Sequence, residues 1–272
     1  MIPPISSSRP VPTVLVELAC PNTADTARAH AALLGLPDGS SSGGDSFSVV
    51  VGNTELRLRE SAGADTEGDA AFDTEGDAAF DAEGDAAFDA EHRVYFTVDD
   101  LAAARRLLIR RGFPVSDGQS DPGPVGEMTP LGIAEASGSE PIPVGDITGM
   151  DHLVFAGDDR DRAVALFGGV FGLDFRLDQP IGDAARQLFF RADDLIVEVV
   201  TGIRAADTPA PSAAASLWGV AWRAPDIEVT HARLSDVGLD VSEIRAGRKK
   251  GTRIFTVRER ALETRTVVIG PA

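Results

Sequence analysis

The chain has a single cysteine, Cys20, in 272 residues, so no intramolecular disulfide can form, which suits a reducing compartment. Cys20 ends an apolar run, which makes it a buried thiol rather than a nucleophile. Long hydrophobic runs are missing too. No stretch of about 18 apolar residues occurs, so no transmembrane helix is expected. The opening MIPPISSSRPVP lacks the charged-then-apolar layout of a secretion signal, and a cytoplasmic protein is expected. There is no Gly-rich phosphate loop, no CxxC pair and no Ser–His–Asp order, which removes the usual signs of nucleotide, redox and hydrolase chemistry.

Acidity is in excess, at a net charge of −18, but it is unevenly spread. Residues 61–100 hold thirteen Asp and Glu against one Arg; from residue 203 onward there are eleven Lys and Arg against eight acids. The excess lies mostly in TEGDAAFD-TEGDAAFD-AEGDAAFD, residues 66–89, inside an insertion spanning 64–91. Its period of eight fits neither a helix nor a strand. Three acids per single Phe bury too little apolar area to offset ordering entropy, so a solvated insertion is expected. Docking of Phe72, Phe80 and Phe88 onto a partner is the minority reading. Without a basic face, nucleic acid is not an expected partner.

What is present is a pattern met four times: a short apolar strand, a capping residue, a helix, then Gly plus an apolar residue. VLVELA (14–19) leads to Gly35-Leu36, RVYFTV (93–98) to Gly112-Phe113, HLVFAG (152–157) to Gly172-Leu173, and GVAWRA (219–224) to Gly238-Leu239. The caps are Asn22 or Thr23, Asp99, Asp158 or Asp159, and Asp226. Further strands are expected at 47–51 and 54–60, at 174–178, 186–192 and 195–201, and at 253–258 and 264–269. In the second unit, residues 114–146 are rich in Gly and Pro and only 130–136 has strand character. The best-formed copy, residues 149–202, reads βαβββ.

MDHLVFAGDDRDRAVALFGGVFGL, LFFRADDLIVEVV, LWGVAWRAPDIEVTHARLSDVGLDVSE, GRKKGTRIFTVRE and TVVIGP resemble the vicinal oxygen chelate superfamily. That group includes glyoxalase I, bleomycin-resistance proteins, fosfomycin-resistance enzymes, extradiol dioxygenases and methylmalonyl-CoA epimerase. The resemblance covers 149–272 well and 12–146 weakly. It implies an α+β fold of four βαβββ modules paired into two curled-sheet domains, a degenerate one at 1–146 and a glyoxalase-like one at 147–272. It fixes a fold and leaves the activity open, binder or enzyme.

In this superfamily metal ligands come from the first and last strand of each module. By resemblance these positions are His152 and Glu198 in the third module, Gly219 and Val267 in the fourth, Leu15 and Arg57 in the first, and Arg93, beside His92, with about Ala134 in the second. Alternation puts His152 with Val154, and Glu198 with Ile196 and Val200. Glu198 is the one charge in LIVEVV, and such a carboxylate needs a partner, a metal or water. His152 and Glu198 are thus the expected metal ligands or polar cavity lining, with Glu198 the candidate catalytic proton carrier. Two donors fall short of a usual catalytic set.

Trp218 and Trp222, four apart, are expected on one strand face, as core or as a stacking wall for a ligand, with Gly219 and Arg223 on the cavity side. GRKKGTR gathers Arg245, Arg248, Lys249, Lys250 and Arg253 at a turn, as a solvated tip or an anion clamp. His30 and His231 are expected on exposed helix faces. The resulting expectation is a small-molecule binder, monomer or homodimer, using His152, Gly219, Arg223, Trp218, Trp222 and Arg253. The alternative is a lyase, isomerase or dioxygenase with Zn, Mn, Fe or Ni at His152 and Glu198. Deleting 66–89 is expected to shift the melting temperature by less than about 2 °C, a ΔΔG of a few tenths of a kcal/mol, by scanning calorimetry; a large drop would reveal a packed segment.

Overall fold

The computed structural model describes residues 12–36, 47–61, 92–115, 130–136, 145–182, 185–202 and 215–272. The acidic insertion at 64–91, with Phe72, Phe80 and Phe88, lies outside them.

The first strand–helix unit is β1 (Val14–Cys20), α1 (Thr23–Leu34), β2 (Ser48–Val51) and β3 (Thr54–Glu60). The second is β4 (Arg93–Val98), α2 (Leu101–Arg110) and β5 (Leu131–Glu135). The third is β6 (Gly149–Gly157), α3 (Arg160–Ala163, running on as a π-helix over Val164–Val170), β7 (Asp174–Ile181), β8 (Ala185–Ala192) and β9 (Leu195–Thr201). The fourth is β10 (Ala215–Arg223), α4 (Ile227–Asp236), β11 (Arg245–Ala246), β12 (Thr252–Val257) and β13 (Arg265–Pro271). Among the described residues three strands follow the helix in the last two units, two in the first and one in the second. The helices start where their caps dictate: Asn22, Asp100, Asp159 and Asp226 accept from backbone N–H groups of the first turn. Gly35 and Gly172, at φ 67 and 73, turn the chain out of α1 and away from the end of the π-helix.

Two sheets result, ordered β2-β3-β1-β4-β5 and β11-β12-β13-β10-β6-β9-β8-β7. In each unit the first strand pairs in parallel with its own last strand: β1 with β3, β4 with β5, β6 with β9, β10 with β13. Units join pairwise through an antiparallel contact of first strands, β1 with β4 and β6 with β10.

Alternate strand residues point to the helices. Val14, Val16 and Leu18 of β1, Leu153 and Phe155 of β6, and Val197 and Val199 of β9 join Leu33 and Leu34 of α1, Leu108 of α2, Phe167 and Leu234 in one apolar cluster shared by both sheets. Phe171 continues it, its ring centroid 5.2 Å from Phe96 and 5.1 Å from Phe113. The remaining positions face away from the helices and form separate small clusters, Leu15 with Tyr95 and Ala134, and Val154 with Val200 and Trp218.

Polar contacts bind the two halves at the edges of this core. The Asn53 side chain acts as a strand residue, donating to Met150 O (3.0 Å) and accepting from Met150 N (2.9 Å). Gly52 beside it admits no side chain, because a Cβ there would sit 2.2 Å from Thr148 O. Arg233 of α4 donates to Ala32 O and Leu33 O at the C-terminus of α1 (2.8 and 2.9 Å) and to Asp146 (2.8 Å). It thereby satisfies carbonyls that a helix end leaves unpaired.

His30 departs from the expected exposed position. It is 1% exposed, its Nε2–H donating to Leu262 O (3.2 Å). His92 is buried close by, accepting from Ala19 N at Nδ1 (3.1 Å) and donating from Nε2 to Glu263 O (2.7 Å). Helical spacing hid this, because the surface covering His30 comes from residues 262–264, distant in sequence. His231, also expected in solvent, is partly buried, donating to Ser242 O (2.9 Å) against the Phe255 ring.

Burial is the main cause lowering both imidazoles, His30 and His92, from 6.5 to about 4. Folded pKa values below the unfolded ones mean stability is full above pH 6.5 and lost as pH falls toward 4. Each histidine is expected to remove about 2 kcal/mol by about pH 5. Urea unfolding against pH checks this, and His30→Asn is expected to lower the acid slope by about one proton.

Candidate functional site

The candidate site is the face of the eight-stranded sheet turned away from the helices. β9 alternates strictly, so with Val197 and Val199 in the core, Ile196, Glu198 and Val200 lie on the other side. β6 lies beside it in parallel, His152 opposite Ile196 and Val154 opposite Glu198. Val154 and Val200 share an apolar cluster on this face, so His152 and Glu198 stand on one face of adjacent strands, one step diagonal to each other.

Glu198 is 7% exposed. Its Oε1 accepts from Gln187 Nε2 of β8, and Gln187 Oε1 accepts from Gln179 Nε2 of β7 (2.7 Å). The direction of this chain is forced. A carboxylate only accepts, so Gln187 turns its NH₂ to Glu198 and its carbonyl to Gln179.

At the other end, Asp151 Oδ2 lies 3.0 Å from His152 Nδ1. The hydrogen bond from His152 is the first cause holding the Asp151 carboxyl below its ordinary range; burial opposes it, and the charges of His152, Arg223 and Lys249 add to the lowering. Arg223 sits beside this pair, 3.7 Å from Asp151 and from Asp194, donating to Met150 O (3.1 Å).

Two β-bulges rearrange the expected side chains. Pairing of β10 with β6 slips at Trp218, between Leu217 and Gly219, and again between Ala221 and Trp222, where Asp151 is the extra residue on β6. The first slip separates the tryptophans, correcting the expectation that they share a face. Trp222 is fully buried in the core cluster, whereas Trp218 packs with Val154 and Val200 on the site face, under the Arg265 guanidinium (4.6 Å). Gly219, opposite Val154, and Ala221, opposite His152, are on the site face. The second slip sets Asp151 beside His152. Sequence alternation does not reveal a bulge, so Asp151, like Gln187 and Gln179, was not singled out; a polar residue inside an apolar strand was the available signal.

Arg253 is not brought to this site. Its strand neighbours Phe255 and Val257 are core residues, and it pairs with Glu228 of α4 on the helix side. Val267 of β13 lies opposite Ala221 and Arg265 opposite Gly219. The relation of Arg265 and Val267 to Gly219 therefore repeats that of Ile196 and Glu198 to His152. Among the described residues no three His, Cys, Asp or Glu side chains gather as a metal-binding group.

On the first sheet the equivalent face carries an ion-pair ladder. Arg57 pairs with Glu55 (2.7 Å), and Arg59 and Arg93 flank Glu17 (3.0 and 3.7 Å).

Residues 151–256 match the family model described as Glyoxalase/Bleomycin resistance protein/Dioxygenase superfamily. Over 97% of the chain, the fold is similar to that of a 4-hydroxymandelate synthase mutant from Streptomyces coelicolor, at 13% identity, 93% of that chain and a TM-score of 0.62. Methylmalonyl-CoA epimerase from Mycobacterium tuberculosis is similar over 48% of this chain and 93% of its own, at 17% identity and a TM-score of 0.40. The Streptomyces coelicolor epimerase in complex with 2-nitronate-propionyl-CoA is similar over 46% and 99%, at 19% identity and a TM-score of 0.37. No curated protein matches in sequence. The family match is thus confined to residues 151–256, and for the chain as a whole the similarity is one of fold, two curled α+β sheets.

The separated tryptophans give a direct check. Trp222→Ala is expected to cost about 3–5 kcal/mol in urea unfolding, and Trp218→Ala less than about half as much, since it packs in the smaller cluster.

Proposed function

We propose that the protein binds a small molecule on the outer face of its C-terminal sheet, with the 147–272 region as a glyoxalase-like domain and the 1–146 region as its structural companion. The observation carrying this reading is the composition of four equivalent positions. His152 and Glu198 occupy two of them, while Gly219 and Val267, related to them by the strand pairings, bear no donor. A superfamily metal site drawing one ligand from each such position would lack half its set, and two donors do not fit the three or more that catalytic Zn, Fe, Mn or Ni sites draw from protein. What remains is an apolar wall of Val154, Val200 and Trp218 carrying a few convergent polar groups, which is the composition of a ligand site. Glu198, His152, Gly219, Arg223 and Trp218 face the ligand in this reading.

A second reading is favoured by the Asp151–His152 contact. A carboxylate on Nδ1 is the support that a metal-ligating histidine receives. In that case a divalent metal held by His152 and Glu198 supplies Lewis acidity to ligand oxygens, and Glu198 becomes a catalytic residue.

Metal content separates the two. Protein purified without added metal and then offered Zn, Mn, Fe or Ni is expected to hold well below one equivalent by plasma mass spectrometry, unchanged in His152→Ala. One tightly held equivalent, lost in that variant, would establish the second reading.

A further inference from the structure

Glu198 is a carboxylate that the fold buries without a counter-cation. Among the described residues its partner is the Gln187 amide, whose own carbonyl is occupied by Gln179. No Lys, Arg or His among the described residues forms an ion pair with it. Its directly adjacent neighbours on the face are apolar, Ile196 and Val200 along β9, Val154 across on β6 and Phe189 across on β8; His152, one diagonal step away, is held by Asp151 instead. The contrast with the first sheet is instructive. There Glu17 and Glu55, 7% and 3% exposed, each face at least one guanidinium. A carboxylate held this far from water is costly unless a positive or strongly donating group meets it. Here the chain spends two glutamine amides in fixing the orientation of Glu198 and none in neutralising it.

We propose that Glu198 recognises a positively charged hydrogen-bond donor, so that the ligand class of the site is a small organic cation: a protonated amine or amidine on a flat apolar body. This rests on the small-molecule-binding reading and adds the charge of the ligand to it. The body packs on Val154, Val200 and the edge of the Trp218 ring, one face of which already carries the Arg265 guanidinium. The amine donates to the Glu198 oxygen that Gln187 does not hold, Oε2. Gln187 keeps Oε1 occupied and so fixes which way the carboxylate points. Glu198 and Trp218 touch the ligand; Gln187 and Gln179 are positioning residues. The residue 198 position also explains why the partner groups are glutamines. An Arg or Lys at residue 187 would fill the carboxylate from within the protein and remove its demand for an external cation.

Three indoles of one shape test the charge. Tryptamine is the cation, tryptophol the neutral analogue and indole-3-acetate the anion. Binding to the full chain is read by isothermal titration, with the indole N–H resonance of Trp218 in isotope-labelled protein, assigned by its loss in Trp218→Phe, as a site-specific signal that the unlabelled ligands do not contribute to. Tryptamine is expected to bind at least about tenfold tighter than tryptophol, equivalent to one charge-assisted hydrogen bond. Glu198→Gln, which keeps size and hydrogen bonding, is expected to erase the preference while tryptophol affinity stays within about twofold. Gln187→Leu is expected to weaken tryptamine alone, by a smaller factor. Equal binding of all three indoles, or a preference for indole-3-acetate, with a Trp218 response overturns the cation proposal and leaves the site reading standing. Absence of any Trp218 response overturns both. Retention of the tryptamine preference in Glu198→Gln overturns the assignment to Glu198. A loss of tryptamine binding on adding one equivalent of Zn or Mn, with tight metal uptake, overturns the proposal in favour of a metal at that carboxylate.

Discussion

The burial of one apolar core between the helix-bearing faces of two sheets is the constraint on which the rest of the structure depends. Strand residues of both sheets and all four helical segments contribute to a single cluster. Because side chains alternate, every strand that gives half its residues to that core must turn the other half away from it. The far face of each sheet is therefore produced by the same register that produces stability. On the first sheet that face is filled with a ladder of Arg and Glu around Tyr95, and on the second with aliphatic residues, Trp218 and isolated polar groups.

The contacts at the rim of the core decide how the halves meet. Asn53 supplies two hydrogen bonds to Met150 where a strand would supply backbone. Arg233 closes the carboxyl end of α1, and two neutral imidazoles seal against the carbonyls of Leu262 and Glu263. Each is a polar group stationed where the apolar layer ends, so the seam needs no continuous backbone ladder to close it. Such groups stay neutral or paired because solvent is excluded on one side and a fixed partner stands on the other. Acid sensitivity is therefore built into the same contacts that hold the seam.

The strand–cap–helix–glycine pattern made most of this architecture legible from the sequence, since caps, left-handed glycines and apolar periodicity are local properties. Asn22, Asp159, Asp226, Gly35 and Gly172 all act within a few residues of their own position. The faces of His152 and Glu198 were legible for the same reason: β9 has no irregularity, and β6 none beyond His152. What stayed hidden depended on partners far along the chain. The Trp218 bulge exists because β10 must match β6, and one extra residue reverses the side of everything beyond it. That reversal separated Trp222 from Trp218. His30 is covered by residues 232 positions away, and Arg253 finds Glu228 on a helix that the strand pattern could not place.

The alternation that hides bulges also explains how a fold of this kind hosts different chemistries. In β9 the core takes Leu195, Val197 and Val199; Glu198 lies on the opposite face and is not part of that cluster. The same holds on β10, where Gly219 lies between Leu217 and Val220, and on β13, where Val267 sits beside the core residue Val268 in a separate cluster with Ala221, Ile254 and Ile269. Substitution at these four positions changes the donor set of the outer face without disturbing the inner one, so ligand chemistry and stability vary nearly independently. A sheet with donors at two of these four positions is then coherent in its own right. Glu198 is held by Gln187 of β8, itself held by Gln179 of β7, while Gly219 and Val267 on β10 and β13 bring no donor.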